Sequence, residues 1–375
     1  MVNAEAAAGS DAPATLTVDL AAIVENYRML AAKAAPAECA GVVKADAYGL
    51  GAAKVAPALH RGGCRTFFVA TLDEGRALRP LLPQTPIYVL DGLHGSDAAA
   101  FIANRLQPVL TSLEELERWR GSRGVEAGLH LDTGLSRLGM PADEAGRLAA
   151  EPQRLEGITL TLVMSHLACA DDPAHPMNAE QLARFGATLD RLTLPNGITR
   201  SLAASSGIFL GAKYAFDLVR PGAALYGIEP LTRQPNPMRQ VVRLQAKILQ
   251  VRRVDAASTV GYGATHRFAR QARLATMGVG YADGYLRALS NRGGVYIGDR
   301  RAPIIGRVSM DLLTIDISDI PEEQAQPGIW VDLIGPHNPV DAVAAEAGTI
   351  GYEILTSLGR RYQRRYLDEG TAAAR

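Results

Sequence analysis

The sequence predicts an α/β protein in two parts, an N-terminal (β/α)8 barrel followed by a C-terminal mainly-β domain. Three observations carry that prediction. Eight short β-rich runs alternate with helical patterns between residues 41 and 228, which favours a parallel barrel over an open sheet. After Arg239 the helical patterns recede and strand-like runs succeed one another. The 375 residues are long for one domain and comfortable for two.

Taken in order, residues 1–13 are small and polar and read as a flexible tail. Residues 14–239 are assigned to the barrel, with the alternative that the first strand, 14–18, pairs with the β domain at 240–375. Asp19 can cap a helix whose apolar face is Leu20, Ile23, Val24, Tyr27 and Leu30. The apolar run 41–43 then ends in Lys44. Further strands are expected at 66–70, 87–90, 107–110, 128–132, 160–166, 201–205 and 223–228. Ser112 and Glu115 form a capping-box signature for one intervening helix. Leu182, Phe185, Leu189 and Leu192 mark the apolar face of another. In the β domain, strands are expected at 241–251, 273–280, 295–298, 302–308, 312–317 and 330–334, with a Gly298-Asp299 turn. Two helical stretches, 342–347 and 352–358, come near the end.

Composition narrows the function. With 39 basic and 39 acidic residues and a pI near 7.1, no charge excess argues for nucleic acid or a membrane surface. Cys39, Cys64 and Cys169 are scattered, lack metal-ligand spacing, and suit a reducing compartment. Neither a signal peptide nor an apolar stretch of spanning length is visible, so a soluble cytoplasmic protein is expected.

The chemistry gathers at predicted strand ends, where a barrel places its active residues. Lys44 comes after an apolar run and precedes Tyr48, which lies beside Gly49 and Gly51. A lone lysine is ordinarily solvated. A desolvated one at a strand end can instead form a Schiff base, with the tyrosine and open backbone holding a phosphate, a pairing that suggests pyridoxal phosphate. Arg137, in the loop 132–139 after the fifth run, can clamp a carboxylate. His166 ends the sixth run. Ser205, Ser206 and Gly207 end the seventh, with small side chains and amides suited to phosphate. Arg220-Pro221-Gly222 completes the set. Each has a bland structural reading alone; together they describe a site for an anionic ligand.

The lysine stretch, the loop 132–139, Arg220-Pro221-Gly222, Gly261-Tyr262-Gly263, Gly280-Tyr281-Ala282-Asp283-Gly284-Tyr285 and Arg307-Val308-Ser309-Met310-Asp311 resemble the alanine racemase family, in order along the chain. The resemblance implies pyridoxal phosphate as an aldimine on Lys44, its phosphate held by Tyr48, Ser206, the amides of Gly222 and Ala223, and Tyr352. Arg220 would face the pyridine nitrogen and keep it unprotonated, which favours racemisation over transamination. Lys44 would be the base on the D face and Tyr262 of the partner subunit in a homodimer the base on the L face. Since a free tyrosine has a pKa of about 10, His166, linked to Arg220, would support it. Arg137 and the Met310 amide would hold the carboxylate of alanine, while Tyr281, Asp171, Arg287 and Arg307 would line the entrance. D-alanine would then serve peptidoglycan supply or be catabolised.

Two positions depart from the family pattern. His130 stands where a carbamylated lysine often orients the arginine, so Arg137 must be oriented otherwise, for instance by a bound anion. Ser205 replaces a common asparagine. Competing readings are a pyridoxal-phosphate decarboxylase on the same fold, a non-catalytic carrier of the cofactor, and racemisation of serine or another small amino acid.

Overall fold

A computed structural model describes residues 12–95, 98–122 and 124–368. The expected tail therefore falls largely outside the described residues, but Pro13 is already fixed, its carbonyl accepting the Lys247 N–H at 2.8 Å. The chain divides into two compact units, Ile23–Arg239 and the N-terminal residues through Ala22 together with Gln240–Arg375. No helix among the described residues is long and apolar enough to cross a membrane.

In the first unit seven parallel strands come in chain order: Gly41–Val42, Phe67–Val69, Ile87–Val89, Gln107–Leu110, Ala127–His130, Leu160–Met164 and Thr199–Ser201. Most of their residues are buried on both faces, as strands enclosed by helices must be. The ring closes through an eighth segment. Leu218–Val219 pairs in parallel with Glu38–Cys39 and is joined to the seventh strand's continuation by the Ala204–Arg220 bridge. Ala40 shows the closure at one residue: its N–H bonds Val219 O, while the next N–H, of Gly41, bonds Thr66 O on the other side. Phe68 stacks on Tyr88 inside, ring centroids 5.1 Å apart.

The eighth strand corrects the sequence expectation. Residues 223–228 are apolar enough for a strand, yet Ala223–Tyr226 is a 3-10 turn, and the strand lies earlier at Leu218–Val219. Pro221 has no N–H to continue a ladder, so the strand stops at Arg220 and the apolar residues beyond it pack as a turn. A second correction concerns the Ser112 box. Ser112 Oγ accepts the Glu115 N–H at 3.2 Å. Glu115 does not reciprocate: its buried carboxylate accepts N–H groups of Leu93, His94 and Thr111 and the Thr111 hydroxyl. It thus ties the loop after the third strand to the end of the fourth. The helix Met177–Arg191 buries Phe185 as expected, but the buried face also carries Asn178 and Gln181.

The second unit is built on an eight-stranded sheet. Its longest strand, Val242–Val254, pairs with Ala14–Asp19, Trp330–Ile334 and Ala272–Met277, with register shifts that let it bend between partners. Ala14–Asp19 also lies parallel to Gln363–Leu367. Gly294–Ile297 and Arg300–Ile305 form a hairpin whose two-residue turn opens with Gly298 at φ 62°, a conformation glycine adopts without strain. Helices Val340–Ala347 and Gly351–Ser357 come near its end.

Candidate active site

The first strand ends at Val42, and the backbone beyond it is unusual. Ala45, Asp46, Ala47 and Tyr48 have φ of 52°, 54°, 54° and 55°, all left-handed. For L-residues each such position costs roughly 1–2 kcal/mol, so the run stores strain that the surroundings must offset. Backbone bonds Ala47 N–H to Val43 O and Gly49 N–H to Ala45 O close the turn. Asp46 Oδ1 accepts the Ala52 N–H at 2.7 Å, and Glu74 Oε1 accepts the Ala45 N–H at 2.7 Å. Tyr48 is thereby buried, its ring 4.8 Å from that of Tyr226, whose hydroxyl bonds Val42 O.

Lys44 opens this turn half-buried. Burial and then the nearby Arg137 cation lower its pKa from the usual lysine value, against the opposing pull of Asp91 and Glu74. More of the amine is therefore uncharged near neutral pH, the form that attacks a carbonyl.

Arg220 is buried at the end of the eighth strand. It donates to Ser201 Oγ and, at 2.6 Å, to Ser165 O, with no carboxylate partner among the described residues. Burial lowers its pKa to about 9, so it keeps its charge at neutral pH. That cation, with burial as the larger cause, pushes His166 down to about 3 and His130 down to about 4, leaving both imidazoles neutral.

The loop carrying Arg137 is fixed without help from an acidic side chain at position 130. Met140 N–H bonds His130 O at 2.7 Å and Asp132 N–H bonds Met140 O at 3.0 Å. Asp132 Oδ1 accepts the N–H groups of Gly134 and Ser136. Gly139, at φ 118°, packs on the His130 ring, where an added Cβ would lie 3.1 Å from Cδ2. Behind the loop, buried Gln181 donates to Thr133 Oγ1 and His166 O and accepts the Ala168 N–H. Thr133 and Ser165 hydroxyls share a 2.8 Å bond. Arg137 itself projects exposed.

The seventh and eighth strand ends form a cradle. Ser205 Oγ accepts the N–H groups of Gly222 (3.0 Å) and Ala224 (3.2 Å), so serine organises this loop where the sequence left its role open. The amides of Ser206, Gly207 and Ala223 have no acceptor among the described residues. A Cβ at Gly222 would stand 2.2 Å from Tyr48 Oη, so only glycine leaves room there. A lysine amine of lowered pKa, a cradle of unpaired amides beside a tyrosine hydroxyl, and a buried guanidinium fit a phosphate-bearing aldehyde cofactor. Asp171 lies exposed in the same unit, its carbonyl accepting the Thr232 N–H.

The remaining predicted residues belong to the second unit. Tyr262 is 73% exposed on a turn whose flanking Gly261 and Gly263 have φ of 72° and 74°. Arg307 packs on that turn, its Nη1 3.2 Å from where a Gly263 Cβ would be. Tyr281 N–H bonds Ser309 O and Ala282 N–H bonds Met310 O, locking two loops together. Arg361 bridges Asp283 and Asp311 across them. The Met310 N–H has no acceptor among the described residues. Tyr352 and Arg287 are exposed. Sequence reasoning missed Glu74, Ser165, Ser201 and Gln181. Of these only Glu74 carried a signal, the Thr71-to-Glu74 capping box.

Comparison with known proteins agrees with this geometry. The family model "Alanine racemase, N-terminal domain" matches residues 18–230, and "Alanine racemase, C-terminal domain" matches residues 241–366. An alanine racemase of Rhodospirillum rubrum is 52% identical over 362 residues, covering 95% of this chain and 96% of the relative. The alanine racemase of Bartonella henselae, solved with covalently bound pyridoxal phosphate, superposes with a TM-score of 0.91 at 43% identity, covering 95% of this chain and 100% of that one. The biosynthetic alanine racemase of Pseudomonas aeruginosa gives 0.88 at 37% identity, over 95% and 100% of the two chains. The chain belongs to the alanine racemase family.

Proposed function

We propose that the protein interconverts L-alanine and D-alanine with pyridoxal phosphate linked to Lys44. The observation that carries the reading is a buried Arg220 without a carboxylate partner in the barrel mouth that also holds the depressed-pKa Lys44. When bound, the cofactor withdraws electrons from the substrate Cα and so acidifies its proton. Arg220, a donor with no acceptor lone pair, would leave the cofactor's ring nitrogen unprotonated and so moderate that withdrawal, which would favour racemisation over transamination.

The protein's own residues divide the remaining work. Tyr48, Ser206, Ala223 and Tyr352 hold the phosphate, whereas the expected Gly222 amide is already bonded to Ser205 Oγ and its residue contributes only room beside Tyr48. His166, neutral at working pH, belongs to the hydrogen-bonding surround of the cofactor. Arg137 and the Met310 amide hold the substrate carboxylate. Inversion needs a proton carrier on each face of Cα: Lys44 serves the D face and Tyr262 of the partner subunit the L face. Tyr262, 73% exposed on its own unit, is available to a second chain. Tyr281, Asp171, Arg287 and Arg307 line the approach. The working form is a homodimer, and the unpaired cysteines suit the cytoplasm.

The test is a chiral assay of the purified protein across the common amino acids. Alanine should racemise fastest, and Lys44→Ala should abolish both turnover and the visible absorbance of the bound cofactor. Carbon dioxide release from an amino acid, or faster inversion of serine than of alanine, would overturn the assignment.

A further inference from the structure

The turn that presents Lys44 is restrained from outside by one carboxylate. Glu74 Oε1 accepts the Ala45 N–H, the amide directly after the lysine, at 2.7 Å. Its other oxygen accepts the N–H groups of Ala70 (2.8 Å) and Thr71 (3.4 Å), just past the second strand. The Glu74 N–H in turn bonds Thr71 Oγ1, completing a capping box for the helix Leu72–Leu78. Capping needs only Oε2; the bond to Ala45 is additional. It falls on the first of the left-handed residues, where the backbone would otherwise relax. Room to relax exists, since a cavity of about 370 Å³ lies alongside, lined in part by Val43, Asp46, Thr71 and Glu74.

We infer that Glu74 is a positioning residue for Lys44: it couples the first two strand ends and holds the left-handed turn so that the lysine amine stays aimed at its cofactor. This rests on the reading that Lys44 carries the cofactor. The rival account is that Glu74 merely caps its helix. The two differ in Thr71→Ala, which removes the cap's hydroxyl but leaves the Glu74 carboxylate free to bond Ala45.

The experiment compares wild-type, Thr71→Ala, Glu74→Ala and Glu74→Gln holoenzymes. It measures cofactor retained on dialysis, the fraction of Lys44 labelled by borohydride reduction with peptide mapping, and thermal unfolding. Thr71→Ala should melt lower yet match wild type in retention and labelling. Glu74→Ala should lose cofactor about tenfold more readily, the effect of forfeiting one charge-assisted bond, with Lys44 labelling reduced. Glu74→Gln, which keeps one oxygen for the Ala45 N–H, should fall between. If Glu74→Ala does not fold, Glu74→Gln against Thr71→Ala decides on the same readouts. Equal behaviour of the Thr71 and Glu74 variants, or wild-type retention and labelling without the carboxylate, would overturn the inference. A wild-type label on another lysine would instead overturn the assignment of Lys44, independently of Glu74.

Discussion

Gly222→Ala probes the cofactor cradle with one methyl group. Gly222 has φ −126° and ψ −82°, outside the left-handed region but also outside the regular α and β ranges, so a small backbone cost adds to the contact. The main effect is contact: the new Cβ would lie 2.2 Å from Tyr48 Oη and 2.9 Å from Cζ, against an ordinary approach of about 3.5 Å or more. Tyr48 must move by more than an ångström, yet its ring is buried against Tyr226 and its backbone is held in the left-handed turn. Overpacking of this kind costs about 1–3 kcal/mol. Set against cofactor binding, that corresponds to roughly 5- to 150-fold weaker affinity. Titration of the cofactor into apoprotein, monitored by its visible absorbance, measures the loss. Because Tyr48→Phe removes both the nearest clashing atom and a phosphate contact, the double variant Gly222→Ala/Tyr48→Phe is compared with Tyr48→Phe alone, and there the added methyl should cost less affinity than it does in the wild type. Undiminished binding by Gly222→Ala would refute the placement of the phosphate between these residues.

The buried cations and imidazoles lead to two further expected outcomes. His130, held at about 4 against 6.5 in an unfolded chain, favours the fold fully above pH 6.5 and progressively less as pH falls toward 4. Between pH 7 and 5 that site should lose about 2 kcal/mol, and His130→Gln should lose correspondingly less stability over the interval in melts of the apoprotein; equal losses would contradict a neutral buried imidazole. Arg220→Glu should protonate the cofactor's ring nitrogen, lower racemisation by roughly 10²-fold and raise side transamination, measured as pyridoxamine phosphate formed per turnover. An unchanged ratio of the two reactions would show that Arg220 faces something else.

The barrel was legible because a short, continuously apolar run followed by a helical face is a local pattern; six strands lie on those runs, while the seventh, Thr199–Ser201, begins two residues before the expected 201–205. The eighth was misplaced because residues 223–228 are as apolar as a strand, while Leu218–Val219 is a strand by virtue of its distant partner Glu38–Cys39. Strand-end residues such as Lys44 and Arg220 could be singled out from sequence. Their supports could not: Ser201 and Ser165, which receive the Arg220 guanidinium, come from two other strand ends and have no local signature. Glu74 shows the division within one side chain. Its Oε2 bond to the Thr71 amide is written in a four-residue motif, whereas the Oε1 bond to Ala45 exists only once the first two strands lie side by side. The left-handed run was likewise hidden, because alanine and aspartate carry no sign of a conformation imposed by the fold around them.

Lys44 and Tyr262 of two different subunits are proposed to act on opposite faces of one substrate, and complementation between subunits puts this to the test. Lys44→Ala and Tyr262→Phe, each nearly inactive in alanine racemisation, are co-expressed with different tags and purified as the mixed dimer. One site of that dimer carries both defects, and the other joins an intact Lys44 to an intact Tyr262, so about half of wild-type activity per dimer should return. A verified mixed dimer that stays inactive would instead place lysine and tyrosine within a single chain's site.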